Sequence, residues 1–214
     1  MPIAAPPDAS LARRLGTLGT GLPLVSVGVA LTIRAELGVA PYDVLSTGIV
    51  ALTGLDIGIA AVLVPVAFVA IGLLLRTRPG PGTLLAVLLV GPVLGVVLDA
   101  LPSQDALEPR LAYFVAGFVF ITAGITLVVV ANMGPGPAEL VMLAIHAKGF
   151  SLAPARTAIE VICVALGWAM GGQVGLGTML FAVLVGPALK RTLSIAGFSA
   201  RPLAAASECA STGA

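Results

Sequence analysis

Two pairs of ionisable residues lie in otherwise apolar parts of this chain. Asp43 and Glu139 each follow a short segment rich in Gly and Pro. These segments, called here the first and the second elbow, are Leu37-Gly38-Val39-Ala40-Pro41 and Met133-Gly134-Pro135-Gly136-Pro137. Arg156 and Glu160 lie four residues apart, so on a helix they share one face and can form an ion pair. Groups of this kind at membrane depth bind polar solutes, coupling ions or protons.

A purely structural explanation exists for both pairs. An ionised side chain in hydrocarbon costs at least about 2.5–3.5 kcal/mol on insertion scales. Arg156 and Glu160 could therefore only neutralise one another and fix a neighbouring helix. A carboxylate in the first turn of a helix is stabilised by free N–H groups and the helix dipole, so capping explains Asp43 or Glu139 alone. Their matched placement after two broken helices favours a binding role.

Two further charged residues, Arg34 and Asp99, lie at the ends of apolar segments, where such side chains usually extend to the interface. The candidate solute-binding or ion-binding residues are Asp43, Glu139, Arg156, Glu160, Asp99 and Arg34. The candidate backbone breaks are Gly38, Pro41, Gly134, Gly136 and Pro137. We find no catalytic triad, zinc motif or phosphate-binding loop, so we expect no enzyme, no catalytic residue, no cofactor and no metal site.

The composition indicates an α-helical membrane protein. Of 214 residues, 58% are hydrophobic and 10% charged, and the mean hydropathy is +1.11. A water-soluble domain of this size needs a more polar surface, so that class is excluded and the expected partner is a lipid bilayer. The net charge of +1 excludes a basic nucleic-acid surface.

Six apolar segments are long enough to cross about 30 Å of hydrocarbon as helices. They are Leu15–Ile33, Ile57–Leu75, Leu84–Leu101, Leu111–Ala131, Ala153–Met170 and Met179–Ile195. Two more segments, Pro41–Leu52 and Pro137–Ala147, are only about a dozen residues long, which suits half-helices that do not cross. Pro41 and Pro137 fall in the first helical turn, where proline is tolerated.

The second half of the chain repeats features of the first. The second elbow follows the first after 96 residues. Two later motifs recur after 95 residues: Gly80-Pro81-Gly82-Thr83 matches Gly175-Leu176-Gly177-Thr178, and Val90-Gly91-Pro92 matches Val185-Gly186-Pro187. We predict one membrane domain, residues 11–196, made of two repeats, 11–101 and 110–196. Residues 1–10 and 197–214 are predicted to be disordered.

The number of crossings decides how the repeats are related. If the short helices do not cross, each repeat has three spans and the two repeats have opposite orientations. If they do cross, there are eight spans and the repeats are parallel. The distribution of Lys and Arg favours six spans, with the N- and C-termini in the cytoplasm.

These residues resemble the YczE/YyaS/YitT family of bacterial integral membrane proteins, most closely its YczE branch. The resemblance rests on the two elbows, Asp99, Arg156-Thr157-Ala158-Ile159-Glu160 and Gly167-Trp168 with Gly171-Gly172 and Val174-Gly175-Leu176-Gly177-Thr178, and it covers residues 12–196. It implies a multi-pass protein of the bacterial plasma membrane. The family pattern reads Gly-Pro-Arg-Asp at the second elbow, whereas this chain has Ala138-Glu139 after Gly136-Pro137, so the arginine is absent.

The leading hypothesis is a small-solute transporter, or one half of a homodimeric one, with its site between the repeats and one repeat rocking against the other. The alternative is a non-transporting scaffold or regulator of another membrane protein. The sequence does not predict the solute, the direction, the coupling ion or the oligomeric state.

Overall fold

A computed structural model describes residues 10–196, apart from the side chain of Ala153, and this part of the chain consists of eight helices and their connections. They are α1 Leu11–Ala35, α2 Pro41–Thr53, α3 Ile57–Leu74, α4 Pro81–Ala100, α5 Leu107–Ala131, α6 Pro137–His146, α7 Leu152–Ala169 and α8 Leu176–Ile195. The predicted all-α class is confirmed. The predictions for residues 1–9 and 197–214 fall outside the described residues.

Helix boundaries follow local capping chemistry. The Ser10 side chain accepts a hydrogen bond from the backbone of Arg13 at the start of α1, and Asp56 Oδ1 accepts one from Gly58 N at 2.7 Å at the start of α3. Pro41 and Pro137 occupy the first turns of α2 and α6, as predicted. Both short helices therefore begin directly at an elbow.

Within residues 10–196, five helices are long and apolar enough to cross a membrane, namely α1, α3, α4, α5 and α8. The sequence predicted six, and the sixth corresponds to α7. This helix has 18 residues but carries Arg156 and Glu160 and is not among the five. Its polar face needs cover from other helices, which α2 and α6 supply by packing against it.

Helices α1 and α5 form the centre of the fold and run antiparallel. Gly21 of α1 faces Gly124 of α5, and Gly28 faces Gly117. A Cβ on Gly28 would lie 2.7 Å from the backbone nitrogen of Ile121, so no larger residue fits between these backbones. In lipid, such close approach of backbones is a main source of helix association.

The eight helices form two layers. Helices α1, α4, α5 and α8 pack on one another in the central layer, and α2, α3, α6 and α7 do so in the outer layer. The main junction between the layers is the packing of α3 on α4. Each layer therefore contains helices from both halves of the chain.

The long helices run between two ends of the protein that carry different charges. At one end, called here the acidic end, the connections and helix ends carry Glu36, Asp56, Asp99, Asp105 and Glu108. The basic end has those that carry Arg13, Arg14, Arg76, Arg78, Lys148, Lys190 and Arg191. Side-chain bonds fix these assignments. Arg34, at the end of α1, donates to Leu98 O of α4 at 2.7 Å at the acidic end, and Thr126 and Thr192 are hydrogen-bonded at 2.6 Å nearer the basic end.

The short helices do not run from one end to the other. Helix α2 connects the end of α1 to the start of α3, and both lie at the acidic end, where Gly58 is next to Gly95 of α4. Helix α6 starts near the end of α5, at the basic end, and leads into α7, whose far end at Gly167 lies against Val44 of α2 towards the acidic end, so α6 also finishes towards the basic end. Each short helix thus begins and finishes on the same side of the protein.

Candidate functional site

The two elbows are held in the same way. Leu37 O in the first elbow accepts a hydrogen bond from Gly177 N at 2.8 Å, and Met133 O in the second accepts one from Gly82 N at 2.7 Å. Gly38 and Gly134 have φ angles of 107° and 130°, which only glycine adopts without strain. The predicted breaks therefore lie against the N-terminal turns of α8 and α4.

Two arginines complete this anchoring, and neither was among the predicted site residues. Arg110 donates from Nε to Ala35 O at 2.7 Å and from Nη2 to Glu36 O at 2.8 Å. Arg14 donates in the same manner to Ala131 O and Asn132 O. Each arginine satisfies the free carbonyls at the end of the helix that precedes an elbow. The signal was in the sequence, because Arg14 and Arg110 are 96 residues apart, the offset of the elbows.

The predicted pair on α7 is formed. Arg156 Nε lies 2.8 Å from Glu160 Oε1, and the two side chains are 38% and 17% exposed. The pair is therefore accessible mainly through the arginine. Each charge offsets part of the cost of placing the other in surroundings that are otherwise apolar.

A phenol and a third charge complete the site. Tyr42, in the first turn of α2, packs on Val141 of α6 and on Ile159 and Cys163 of α7. Burial raises the pKa of the Tyr42 hydroxyl, the nearby carboxylates of Glu139 and Glu160 raise it further, and the Arg156 guanidinium opposes them. We call Tyr42, Glu139, Arg156 and Glu160 the central cluster. Tyr42 was not predicted, although it is next to Asp43 in the elbow motif.

Glu139 reaches this position because the backbone beside it is bare. Its carboxylate bends back over Gly136, where the oxygen Oε2 occupies the space that any Cβ would need. Pro137 starts α6 directly after this glycine. Gly136 and Pro137 therefore set the direction of the Glu139 side chain.

Asp43, the counterpart of Glu139, lies apart from the central cluster. Its carboxylate is half-buried and has no hydrogen bond or ion pair to any residue in the range 10–196. One turn further on, Thr47 Oγ1 donates to Asp43 O at 3.0 Å and accepts from Gln173 N at 3.0 Å. The surroundings of Asp43 thus contain neutral groups where those of Glu139 contain charges.

Arg34 and Asp99 also lie away from the cluster, at the acidic end. Arg34 donates from Nη2 to the Leu98 carbonyl, while its buried Nε has no hydrogen-bond partner among the described residues. Asp99 is exposed and lines a groove of about 550 Å³ between α3 and α4, together with Asp56. Of the six predicted binding residues, the structure brings together Glu139, Arg156 and Glu160 and leaves Asp43, Arg34 and Asp99 elsewhere.

The central cluster can bind charge. Two carboxylates against one guanidinium leave one net negative charge beside a phenol, and this combination suits a cation, a zwitterion or a proton. No group of three or more His, Cys, Asp or Glu that could hold a metal ion occurs among the described residues.

Comparison with known proteins agrees with the predicted resemblance. The profile of the Family of unknown function DUF6198 matches residues 12–193. The chain belongs to this family.

Among the relatives of this DUF6198 member is an "Uncharacterized protein" of Haemophilus influenzae, 32% identical over 86% of this chain and 84% of the relative. The "Uncharacterized membrane protein YczE" of Bacillus subtilis is 31% identical over 81% of this chain and 82% of its own length. A third, the "Uncharacterized protein YyaS" of the same organism, is 26% identical over 78% of this chain and 86% of the relative. No solved structure matches the chain. The family prediction is confirmed, and the chain is a helical membrane protein.

Proposed function

We propose that this protein transports a small cationic or zwitterionic solute through the central cluster. The observation that carries the proposal is the placement of Tyr42, Glu139, Arg156 and Glu160 between two short helices and α7. Charged residues within membrane helices are costly and typically mark solute or ion pathways. Discontinuous helices near the middle of the bilayer are a common form of transport site.

The halves of the chain are inverted repeats in this proposal. Its support is a set of matched contacts. Each elbow accepts a backbone hydrogen bond from the other half, and Arg14 and Arg110 each bind the carbonyls that precede the elbow of the other half. Helices α1 and α5 are also antiparallel. A two-fold axis that relates antiparallel helices lies in the membrane plane. Parallel repeats would need α1 and α5 to point in the same direction.

The basic end faces the cytoplasm of a bacterial plasma membrane. Its helix ends and connections carry most of the Lys and Arg of the described chain, as the positive-inside rule requires. This orientation gives six spans, with α2 entering from the outer side and α6 from the cytoplasmic side.

Cysteine accessibility tests this topology. Cys163 and Cys209 are replaced by alanine, and Thr77→Cys at the basic end and Ser103→Cys at the acidic end are made separately. An impermeant thiol reagent on intact cells should label the Ser103→Cys protein only. Labelling of the Thr77→Cys protein alone would show the opposite orientation and remove the basis for a cytoplasmic basic end.

Transport is tested by exchange in proteoliposomes with the full chain and a panel of labelled amines and amino acids. Glu160→Gln leaves Arg156 without its counterion and should abolish exchange, while Tyr42→Phe, which loses only the hydroxyl, should weaken it. The matched control is Asp105→Asn, an exposed carboxylate on a connection at the acidic end. Full exchange in the Glu160→Gln protein would contradict this site.

The second candidate function is a scaffold for another bilayer protein. It is favoured by the outer side of α8, where Met179, Leu180, Val183 and Leu184 are exposed and apolar. A scaffold should keep its assembly when Glu160 is replaced by Gln and lose it when Val183 is replaced by Trp. Absence of exchange for every solute, with Val183→Trp reducing recovery of a co-purifying membrane protein, would favour this candidate.

A further inference from the structure

The packing of helices is matched between the two halves at every place but one. Helix α1 packs on α4 as α5 packs on α8, α2 on α3 as α6 on α7, and α2 on α7 as α6 on α3. The packing of α3 on α4 should then have a counterpart between α7 and α8. Those two helices make almost no contact within the described residues. The edge of the fold formed by α3 and α4 is therefore closed, and the equivalent edge between α7 and α8 is open.

The same difference appears at single glycines. A Cβ on Gly91 of α4 would lie 2.5 Å from Gly58 O and 2.5 Å from the Val62 side chain, so α3 fills the space above this glycine. Gly186 of α8 stands in the equivalent position and is likewise followed by proline, but it has nothing within 4 Å. Gly186 thus exposes a bare stretch of backbone like the one at which Gly91 packs closely on α3, but no helix lies against Gly186.

The two edges lie at opposite ends of the protein. Contact between α3 and α4 involves Gly58 near the start of α3 and Gly95 near the end of α4, at the acidic end. The equivalent region of α7 and α8 joins the start of α7 to the end of α8, at the basic end. Arg156, the more exposed member of the ion pair, lies in this first part of α7. The open edge therefore leads from the basic end towards the central cluster.

We propose that the structure is one of two states, and that in the other α7 packs on α8 through Gly186 while α3 separates from α4. This inference rests on the proposed transport function. If each layer moves as one body about the apolar cluster that both layers share, which includes Val44 of α2 and Phe181 of α8, closure of one edge opens the other, since the two edges lie at opposite ends. The central cluster then opens to the basic end in the present state and to the acidic end in the other.

The moving units in this proposal are the layers, not the repeats. The expectation of one repeat rocking against the other would need α1 to slide on α5, whose backbones are in contact at Gly21, Gly28, Gly117 and Gly124. Between the layers, away from α3 and α4, helix backbones approach one another at few points, and the packing is mostly between side chains of a shared apolar cluster. Relative movement of the layers breaks less packing.

Cross-linking of cysteine pairs tests the second state. In the full chain with Cys163 and Cys209 replaced by alanine, Leu63→Cys/Val96→Cys reports the closed edge, because both residues line the groove between α3 and α4. The matched pair at the open edge is Ala158→Cys/Arg191→Cys, 95 residues further on, and both residues are exposed. A short bifunctional thiol reagent is applied to native membranes across a range of pH and membrane potential. We expect intramolecular products from both pairs.

Gly186→Leu supplies the control. It should leave folding and the product of the first pair unchanged, because nothing surrounds Gly186 in the present state, and it should remove the product of the second pair by blocking closure. Gly91→Leu should have the reverse effect, with Gly91→Ala as the milder variant. Cross-linking at the second pair that is unaffected by Gly186→Leu would overturn the role of this glycine.

Three outcomes separate the explanations. Product at the first pair alone, under every condition, means that the protein has one state, and the inference fails whether or not solute exchange is found. Dimers formed by Ala158→Cys or Arg191→Cys alone mean that a second copy covers the open edge, which also overturns it. Products at both pairs without exchange of any solute leave the two-state movement intact and reject transport instead.

Discussion

The two halves of this protein are alike at their elbows and different where the short helices begin. At the elbows, backbone hydrogen bonds from Gly82 and Gly177 and the guanidinium groups of Arg14 and Arg110 repeat almost atom for atom. At the start of α6, Glu139 is near charges, whereas Asp43 at the start of α2 is near neutral groups. The framework contacts are therefore matched between the halves, and the polar chemistry is not.

The difference arises from substitutions at matched positions. Arg156 and Glu160 of α7 correspond to Ala61 and Pro65 of α3, and Tyr42 corresponds to Ala138. One half supplies the phenol and the other supplies both carboxylates and the guanidinium. A single charged site between equivalent short helices follows, and a solute there would contact both halves at once.

The largest expected effect concerns the shared framework. Gly28→Leu inserts a side chain between the backbones of α1 and α5, and the cost should exceed the about 1–3 kcal/mol typical of overpacking because backbone cannot move aside. We expect loss of folded protein, measured as monodisperse yield in detergent. The control is Gly19→Leu on the same helix, where nothing lies within 4 Å. Equal yields of the two variants would contradict the proposed importance of this helix pair.

An intermediate effect should be equal in both halves. Arg14→Gln and Arg110→Gln each remove two charge-assisted hydrogen bonds to the carbonyls at a helix end, which should cost about 2 kcal/mol in either case. The exposed Glu36 carboxylate, 3.5 Å from Arg110, adds little. Thermal unfolding in detergent should show similar decreases in Tm. A clear difference between the variants would break the equivalence of the elbows.

The sequence predicted the framework well because its signals are local. Prolines at the first turns, glycines at the breaks and long apolar segments define the eight helices to within a few residues. The Arg156–Glu160 pair was predictable for the same reason, since helix geometry places residues four apart on one face. The contribution of Tyr42 was not, because it depends on how α2 lies against α6 and α7, and hydrophobic periodicity does not encode that arrangement.

The arrangement of the helices in two layers was also not predictable from the sequence. A repeat in sequence suggests that each half is a physical unit, yet α2 packs on α7 and α3 on α6, so the halves are interleaved. The unequal edges at Gly91 and Gly186 are invisible in the sequence, where both read as Gly-Pro. Identical motifs can hold different conformations when the contacts that distinguish them are distant in the chain.

The smallest expected effect is at Asp43. Asp43→Asn keeps the size of the side chain and removes a carboxylate whose pKa burial raises to about 7, so stability at neutral pH should not fall. Exchange in proteoliposomes should fall only slightly. Glu139→Gln, the matched change, removes a charge that acts on Tyr42 and Arg156 and should abolish exchange. If both variants lose exchange equally, the two acids serve the same solute or ion, and the central cluster must extend across both short helices to include Asp43.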